Sequence, residues 1–283
     1  MATKEITSPE DRITYIRPKT GWSALNLREL WLYRELIFFM TWRDLKVRYK
    51  QTALGASWAV LRPFLSMVVF SIFFGNLAKV PSDNIPYPIF SYSGLLPWEL
   101  FAVALGVAAR SLVTNSNMIT KIYFPRIILP LSNILAGVVD FAIAFLVLIG
   151  MMFYYGITPT SAVWTLPLFL LLAIVTALGV SLWLSALNVL YRDIGYISPF
   201  LTQFWMFITP IAYGSTLVPE NWQLIYSINP MVGVVNGFRW ALLGVESGAP
   251  GIGLVVSVVV SLVILVSGLF FFHRMERQFA DMV

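Results

Sequence analysis

The chain has no cysteine, and His273 is its single histidine among 283 residues. Disulfide bonds are therefore excluded, and a metal cluster of Cys and His ligands cannot be assembled. Charge is scarce as well, because charged residues make up 12% of the chain, whereas soluble domains carry about 25%. These shortages argue against a soluble protein and against a metal site.

An energy source is also missing from the sequence. The phosphate-binding pattern G-x-x-x-x-G-K-[ST] does not occur, and the chain has no Gly-Lys dipeptide. The polar segments between the apolar runs are too short to hold a catalytic domain. We therefore expect no enzyme activity and no cofactor in this chain itself.

Long apolar runs dominate what is present. Apolar residues make up 58% of the chain, and the longest stretch without a charge covers 51 residues, 141–191. A helix needs about 20 residues to cross a bilayer, so this run holds two spans, separated at the turn-forming residues 155–159. The patterns predict an all-α polytopic membrane protein with spans at about 58–78, 89–113, 127–155, 162–190, 196–217 and 252–272.

The basic residues predict the orientation. Eleven of the 19 Lys and Arg lie in residues 1–62, and only Lys79 and Arg239 fall on the opposite side of the predicted spans. Positive charge marks the cytoplasmic face, so both termini are predicted to be cytoplasmic and the number of spans is even, namely six. The remaining basic residues on the cytoplasmic side are Arg110, Lys121, Arg126, Arg192, Arg274 and Arg277.

The predicted even number of membrane spans decides how the segment 213–244 is interpreted. Residues 221–244 are long enough for a seventh crossing, but they include Asn229-Pro230, Asn236-Gly237 and Arg239. Such residues are tolerated at membrane depth only where protein or water covers them. We predict a re-entrant outer hairpin between spans five and six, with Arg239 near the outer surface. Its breakers, Pro219 and the two dipeptides, would divide two short half-helices joined near Pro230.

The N-terminal part is predicted to stay outside the bilayer. Residues 1–20 are polar and read as a leader without a signal peptide, and residues 22–62 mix charges with Trp and Tyr. Rings and long cations of this kind settle at a membrane–water interface, although a solvated helix packed on its own protein remains an alternative. We predict a cytoplasmic leader and interfacial helix at 1–57 and a six-span domain at 58–283.

Few ionisable residues fall inside the predicted spans. Glu99 follows Pro97, which is typical of a helix start, although contact with a substrate is the alternative. Arg110 is close enough to a cytoplasmic end to snorkel there. Asp140 lies deeper and should face a partner helix or a wet cavity.

The stretch 115–124, "NSNMITKIYF", predicts a short helix across the cytoplasmic ends of two spans. Asn115 or Asn117 is a candidate cap, and Pro125 should end the helix at Phe124. One apolar edge at helical spacing would dock either on another protein or on the chain's own bundle. The residues of this edge are Met118, Ile119, Ile122 and Tyr123.

Five stretches, in order along the chain, resemble one family. They are "LGASWAVLRPF" at 54–64, "SGLLPWELF" at 93–101, "KIYFPRIILPLSN" at 121–133, and the longer stretches 187–213 and 228–244. In these the chain resembles the type-2 ABC permeases that export lipid-linked polysaccharides such as O-antigen, capsule and teichoic acid.

The resemblance implies an assembly and its setting. It implies a homodimeric permease in the bacterial inner membrane, in contact with membrane lipid and joined to two copies of a separate ATPase subunit. That subunit would bind ATP and Mg, the substrate would be a lipid-linked polysaccharide, and no nucleic acid is involved.

The resemblance also implies roles for individual residues. The coupling helix at about 115–124 and the loop after the fourth span would form the ATPase interface. Its residues would be Asn117, Met118, Ile119, Lys121, Ile122, Tyr123, Phe124, Arg192 and Asp193. From the intramembrane charges and the spacing of the rings themselves, we expect the substrate pathway to include Trp98, Glu99, Asp140, Tyr196, Phe200, Phe204, Phe207 and Tyr213. The outer gate would include Asn229, Pro230 and Arg239.

Two of these assignments keep an alternative. The rings of the fifth span, at helical spacing, suit stacking on sugars, but they equally suit packing on lipid or on neighbouring helices. A basic cluster at the cytoplasmic entrance would attract either a pyrophosphate headgroup or anionic lipid. The entrance residues are Arg43, Lys46, Arg48, Lys50 and Arg62.

Two other function classes are less well supported. A membrane enzyme acting on lipid-linked sugars would need paired carboxylates or a histidine near the surface, but the acids are scattered and His273 lies at the C-terminal edge. A secondary transporter would need relays of ionisable groups at mid-membrane, where this sequence has few.

Overall fold

The structure, a computed structural model, describes residues 27–50, 55, 57–276 and 278–282. The predicted leader at 1–20 lies outside the described residues. Every regular element in the described ranges is helical, which confirms the all-α prediction. The α-helices are α1 (Leu27–Leu32), α2 (Arg34–Lys50), α3 (Ser57–Phe70), α4 (Tyr87–Val103), α5 (Ser111–Thr114), α6 (Ser116–Lys121), α7 (Ile128–Tyr155), α8 (Leu166–Leu190), α9 (Ile194–Phe207), α10 (Glu220–Tyr226), α11 (Pro230–Leu243), α12 (Ile252–Glu276) and α13 (Phe279–Met282).

Five helical segments of the described chain are long and apolar enough to cross a membrane. Their ends differ from the predicted spans by at most five residues. They are Ser57–Leu77, Tyr87–Ala108, Ile128–Tyr155, Ser161–Leu190 and Ile252–Glu276. The first two end in π-helical segments, Ser71–Leu77 and Ala104–Ala108, and the fourth begins with a 3-10 helix, Ser161–Thr165.

The fifth predicted span, 196–217, is an α-helix only in its first part. Helix α9 ends at Phe207, ten residues early, and its 14 residues fall short of the length of the other five. Pro210 disfavours helical backbone at Thr209. The Asn229 side chain then donates to the Ile208 carbonyl over 3.1 Å, which satisfies a group that the ending helix leaves open.

The segment predicted to be a hairpin contains two helices, α10 and α11. Asn229 accepts from the Met231 N–H over 3.1 Å and caps α11, whose first residue is Pro230. The predicted break at Asn236-Gly237 is wrong, because α11 continues to Leu243. A Cβ on Gly237 would lie 2.2 Å from the Phe169 ring, so this glycine allows close packing of α11 on α8.

The apolar core has two parts. The larger lies between α4, α7, α8 and α11, and the smaller lies at one end of the bundle. The smaller cluster is centred on Met40, Leu112, Ile119, Phe124, Leu182, Val189, Phe272 and Phe279. Leu30 of α1 packs against the cluster that holds Phe279 of α13. The first and last described helices therefore lie at the same end of the bundle.

Helices α8 and α12 are in close contact along a seam of small residues. A Cβ on Gly179 would lie 2.8 Å from the backbone N and Cα of Leu265. Thr176 and Ser261 share a buried hydrogen bond of 2.8 Å in the same seam. The pairing of α8 with α12 therefore depends on the absence of a side chain at Gly179.

Candidate functional site

A cavity of about 830 Å³ lies between α2, α3, α4, α7 and α9. Its volume falls in the range of about 300–1,000 Å³ that is typical of small-molecule sites. The polar and charged residues of its wall are Arg48, Tyr49, Arg62, Glu99, Asp140, Thr202 and Gln203. The aromatic residues are Trp58, Trp98 and Phe141.

Asp140 of α7 holds the C-terminal end of α2. Its carboxylate pairs with the Arg48 guanidinium and accepts a hydrogen bond from the Tyr49 hydroxyl. Ser132, eight residues earlier on α7, donates to Asp44 over 3.2 Å, so α2 and α7 run in the same direction. The sequence predicts that Asp140 faces either a partner helix or a cavity. In the structure Asp140 contacts helix α2 and also lines the cavity.

The protonation of Tyr49 matches this arrangement. Burial raises the pKa of the Tyr49 phenol above its usual range, and the hydrogen bond and the negative charge of Asp140 raise it further. The hydroxyl therefore keeps its proton at neutral pH and donates it to the carboxylate.

The predicted pathway residues Trp98 and Glu99 also line this cavity. Trp98 is buried and packs against Phe101, with ring centroids 5.4 Å apart. The interpretation of Glu99 as a helix start is wrong, because α4 begins at Tyr87 and contains Pro97 in its interior. Glu99 instead shares the cavity wall with Arg62.

The aromatic stripe of the fifth predicted span does not line this cavity. Its rings are 57–82% exposed on another face of α9; they belong to Tyr196, Phe200, Phe204 and Phe207. The cavity side of α9 carries Pro199, Thr202, Gln203 and Met206. Tyr213 lies beyond the end of α9, where its hydroxyl bonds that of Tyr226 over 2.9 Å.

The predicted entrance cluster divides into two sets. Arg48 and Arg62 line the cavity. Arg43 pairs with Asp44 over 2.8 Å, while Lys46 and Lys50 are exposed along α2 and are not part of the cavity wall.

Arg239 corrects the prediction for the outer gate. It was expected near the outer surface, but it is 1% exposed. Its guanidinium lies 3.6 Å from the centroid of the Phe90 ring and donates to four carbonyls over 2.5–3.3 Å, those of Phe90, Pro210, Ile211 and Tyr213. The break after α9 exposes three of these carbonyls, and the buried cation satisfies them.

The predicted coupling helix is shorter than 115–124. Helix α6 covers Ser116–Lys121, and no side chain caps its N-terminus. Asn115 instead donates to the Ser111 carbonyl over 2.8 Å, and Asn117 lies inside the helix, so the capping predictions are wrong. Ile122 is already in an extended conformation, three residues before Pro125.

Burial also divides the predicted apolar edge. Ile119 and Phe124 are buried in the smaller core cluster, and Met118 packs against it. Ile122 and Tyr123 are 60% and 71% exposed, and Asn117 and Lys121 are exposed beside them. Arg192 and Asp193 are exposed after α8, whose Val189 belongs to the same cluster.

Sequence reasoning missed three polar residues of the cavity wall, which are Tyr49, Thr202 and Gln203. No apolar periodicity indicates which face of α2 turns toward the cavity. The one sequence feature that could have indicated Tyr49 is its position next to Arg48, which was predicted at the entrance. On α9 the aromatic stripe drew attention to the opposite face.

Comparison with known proteins identifies the family. The model for the ABC-2 type transporter family matches residues 35–243, a stretch that includes the whole cavity wall. The chain belongs to the ABC-2 type transporter family. The O-antigen export system permease protein RfbA of Klebsiella pneumoniae is 30% identical over 250 residues, covering 88% of this chain and 95% of that protein.

Further relatives agree with this assignment. The O-antigen export system permease protein RfbA of Myxococcus xanthus is 31% identical over 260 residues, covering 91% of this chain and 98% of that protein. The polysialic acid transport protein KpsM of Escherichia coli is 24% identical over 212 residues, covering 71% and 78%. The resemblance to permeases of polysaccharide exporters is confirmed.

Proposed function

We propose that this chain is the transmembrane subunit of an ATP-driven exporter that moves a lipid-linked polysaccharide across the bacterial inner membrane from the cytoplasmic side. The observation that carries the proposal is the near full-length similarity to permeases named for O-antigen export. A separate ATPase subunit supplies ATP and Mg binding. The polar and aromatic wall of the cavity is compatible with a sugar-bearing substrate.

The proposed topology has six crossings, with α9 as the fifth. The first and last described helices lie at one end of the bundle, so the proposed number of crossings is even. Five helical segments are long enough to cross a membrane, so a sixth crossing is needed. Helix α9 begins beside the cytoplasmic end of the second span, where Arg110 donates to the Gly195 carbonyl. Its 14 residues span about 21 Å.

The remaining depth is crossed by irregular backbone after α9. Such backbone is tolerated in a membrane only where its polar groups are satisfied within the protein. Arg239 and Asn229 supply donors to the carbonyls at Ile208, Pro210, Ile211 and Tyr213. Helix α11 is buried on most sides, which supports a re-entrant α10–α11 segment on the outer side and cytoplasmic termini.

The proposed assembly is a homodimer with two ATPase subunits. The exposed rings of α9 form an apolar face that one chain leaves uncovered in its described part. In the dimer this face lines or borders the shared pathway, where rings can stack on sugars. Helices α1 and α2 carry Trp31, Phe38 and Trp42 at 58–72% exposure, which suits contact with lipid at the interface.

The ATPase docks on the exposed residues around α6. Ile122 and Tyr123 supply the apolar contact, and Lys121 lies beside them. Ile119 and Phe124 anchor the segment in the permease. Arg192 and Asp193 extend the surface, since α8 ends in the same core cluster.

The proposal is tested by reconstituting the chain with and without a candidate ATPase subunit. We expect ATP hydrolysis only in the complex, and export of the lipid-linked glycan only with hydrolysable ATP. The control is an ATPase variant that cannot bind nucleotide. Export that stops with a protonophore, while ATP hydrolysis continues, would instead indicate a secondary transporter.

A further inference from the structure

The carboxylate of Asp140 occupies two adjacent donors at the end of α2. Arg48 supplies a guanidinium and Tyr49 a hydroxyl, and all three side chains line the cavity. A guanidinium and a neutral hydroxyl are also donors that bind phosphate oxygens well. The contacts that Asp140 makes are therefore contacts that a phosphate group in the cavity would seek.

The pair is accessible enough to be exchanged. The Arg48 and Asp140 side chains are 28% and 18% exposed, so both remain open to the cavity. Removing one partner of a buried pair is costly because it leaves a charge uncompensated. An incoming anion avoids this cost for Arg48, since it replaces the carboxylate with another negative group.

The charges of the wall support such an exchange. Besides Arg48 and Asp140, the wall contains Arg62 and Glu99, so two cations face two carboxylates. A cavity with this balance has no surplus positive charge for an anion. Displacement of Asp140 from Arg48 is the step that creates an anion site.

We propose that Asp140 is an internal competitor of the substrate, which occupies Arg48 and Tyr49 in the empty cavity and is displaced by the diphosphate group of a prenyl-linked sugar. The identity of the ligand as a prenyl diphosphate rests on the proposed function. The displacement also releases the end of α2 from α7, because this carboxylate joins the two helices there. Binding of the headgroup is thereby linked to movement of α2.

The competitor role predicts the sign of a substitution. With Asp140→Asn, the apparent affinity for a diphosphate rises by at least about fivefold, because a competing state reduces apparent affinity in proportion to its population. Arg48→Gln weakens binding at least fivefold by the same measure. The matched control is Glu35→Gln, at an exposed acid of α2 outside the cavity wall, which changes the affinity by less than about twofold.

The binding measurement uses the purified full-length chain in detergent and isothermal titration calorimetry. The probes are farnesyl diphosphate, inorganic pyrophosphate and farnesol. Binding of both diphosphates, with farnesol weaker than either, supports a diphosphate site, and tighter binding of farnesyl diphosphate than of pyrophosphate assigns it to a lipid headgroup. Equal binding of farnesol and farnesyl diphosphate overturns the inference, as does unchanged or weaker binding in monodisperse Asp140→Asn.

A second measurement leaves the three residues intact. Lys46 of α2 and Leu146 of α7 are exposed, and the chain has no native cysteine, so both positions can be converted to spin-labelled cysteines. Farnesyl diphosphate is expected to lengthen or broaden the distance between the labels, and an unchanged distance at saturation overturns the inference. ATP-driven export by the complete complex tests the proposed function separately, because it does not depend on either result.

Discussion

Trp205 donates its indole N–H to Oδ1 of Asn229 over 2.9 Å and so joins the last turn of α9 to the start of α11. The same amide accepts from the Met231 N–H and donates to the Ile208 carbonyl and the Thr209 hydroxyl. One side chain therefore both caps α11 and satisfies the backbone that α9 leaves open.

We expect Asn229→Ala to lower the free energy of unfolding by about 1–3 kcal/mol, since the cap is lost and the part-buried polar groups of Trp205 and Thr209 lose a partner. Thermal unfolding of the purified chain, followed by circular dichroism, measures the loss. Asn236→Ala is the control, because its side chain accepts a single 3.2 Å bond from Ser215. Equal melting temperatures for the two variants would contradict the role of Asn229.

Arg239→Met should destabilise the chain by about 2–3 kcal/mol, because four carbonyls lose a hydrogen-bond donor. This loss outweighs the free energy gained when a charged guanidinium no longer has to be desolvated. Arg239→Lys should recover part of this loss, since an ammonium has three donors and no planar fork. Melting temperature and the monodisperse fraction in size-exclusion chromatography report both effects. The exposed Lys79→Gln is the control, and a Met variant as stable as the parent would mean that desolvation of the guanidinium cancels its hydrogen bonds.

Gly179→Ala and Gly150→Ala should act in opposite directions. A methyl group at Gly179 would meet the backbone of Leu265, and forcing an extra carbon into such a contact costs about 1–3 kcal/mol. Nothing lies within 4 Å of a Cβ at Gly150, where alanine in a helix gains about 0.5–1 kcal/mol. Thermal unfolding compares the two, and a stabilising Gly179→Ala would show that α8 and α12 can separate without loss.

Ile122→Asp and Tyr123→Asp should each reduce copurification of the ATPase subunit while the permease itself remains monodisperse. A charge at these exposed positions costs little free energy in the free chain. In the docked state it is buried without a partner, which costs about 2–7 kcal/mol. Ile119→Asp should instead impair folding of the permease, since Ile119 is buried in its own bundle. Normal complex formation by both surface variants would remove α6 from the proposed interface.

Single cysteines should label from opposite sides of the membrane. Glu220→Cys and Glu246→Cys, both exposed, are expected to react with an impermeant thiol reagent added outside, and Lys121→Cys only after the membrane is opened. The cysteine-free parent provides the background. If positions 220 and 246 label from opposite faces, α10 and α11 form a true crossing and six spans is the wrong number.

The long helices were predictable because uninterrupted apolar runs determine them locally. The end of α9 was not, since it depends on Pro210 together with an amide at Asn229 that lies 21 residues beyond Ile208. Arg239 was placed at the surface because a sequence does not reveal that carbonyls at Phe90 and in 210–213 converge on one point.

The cavity was predicted in part for a similar reason. Trp98, Glu99 and Asp140 stand out as unusual residues within apolar runs, and all three line it. The partners of Asp140 lie 91 and 92 residues earlier in the chain, in a helix with no periodic pattern. In α6 the apolar edge was recognised, but spacing alone did not separate the buried Ile119 from the exposed Ile122.

The π-helical segment Ala104–Ala108 ends the second long helix and sets the direction of the residues that follow it. Each residue of an α-helix advances by about 100° around the axis, and a π turn accommodates an additional residue within the same turn. Arg110 therefore points about one residue's rotation away from its direction in an uninterrupted α-helix, and in its observed direction it meets Gly195 at the start of α9. A deletion of a single residue within 104–108 would remove this additional residue and leave Arg110 directed at α9, whereas conversion of the segment to α-helix at unchanged length would turn Arg110 away. The π segment is therefore the place in this helix where the chain can lose a residue and keep the contact with Gly195.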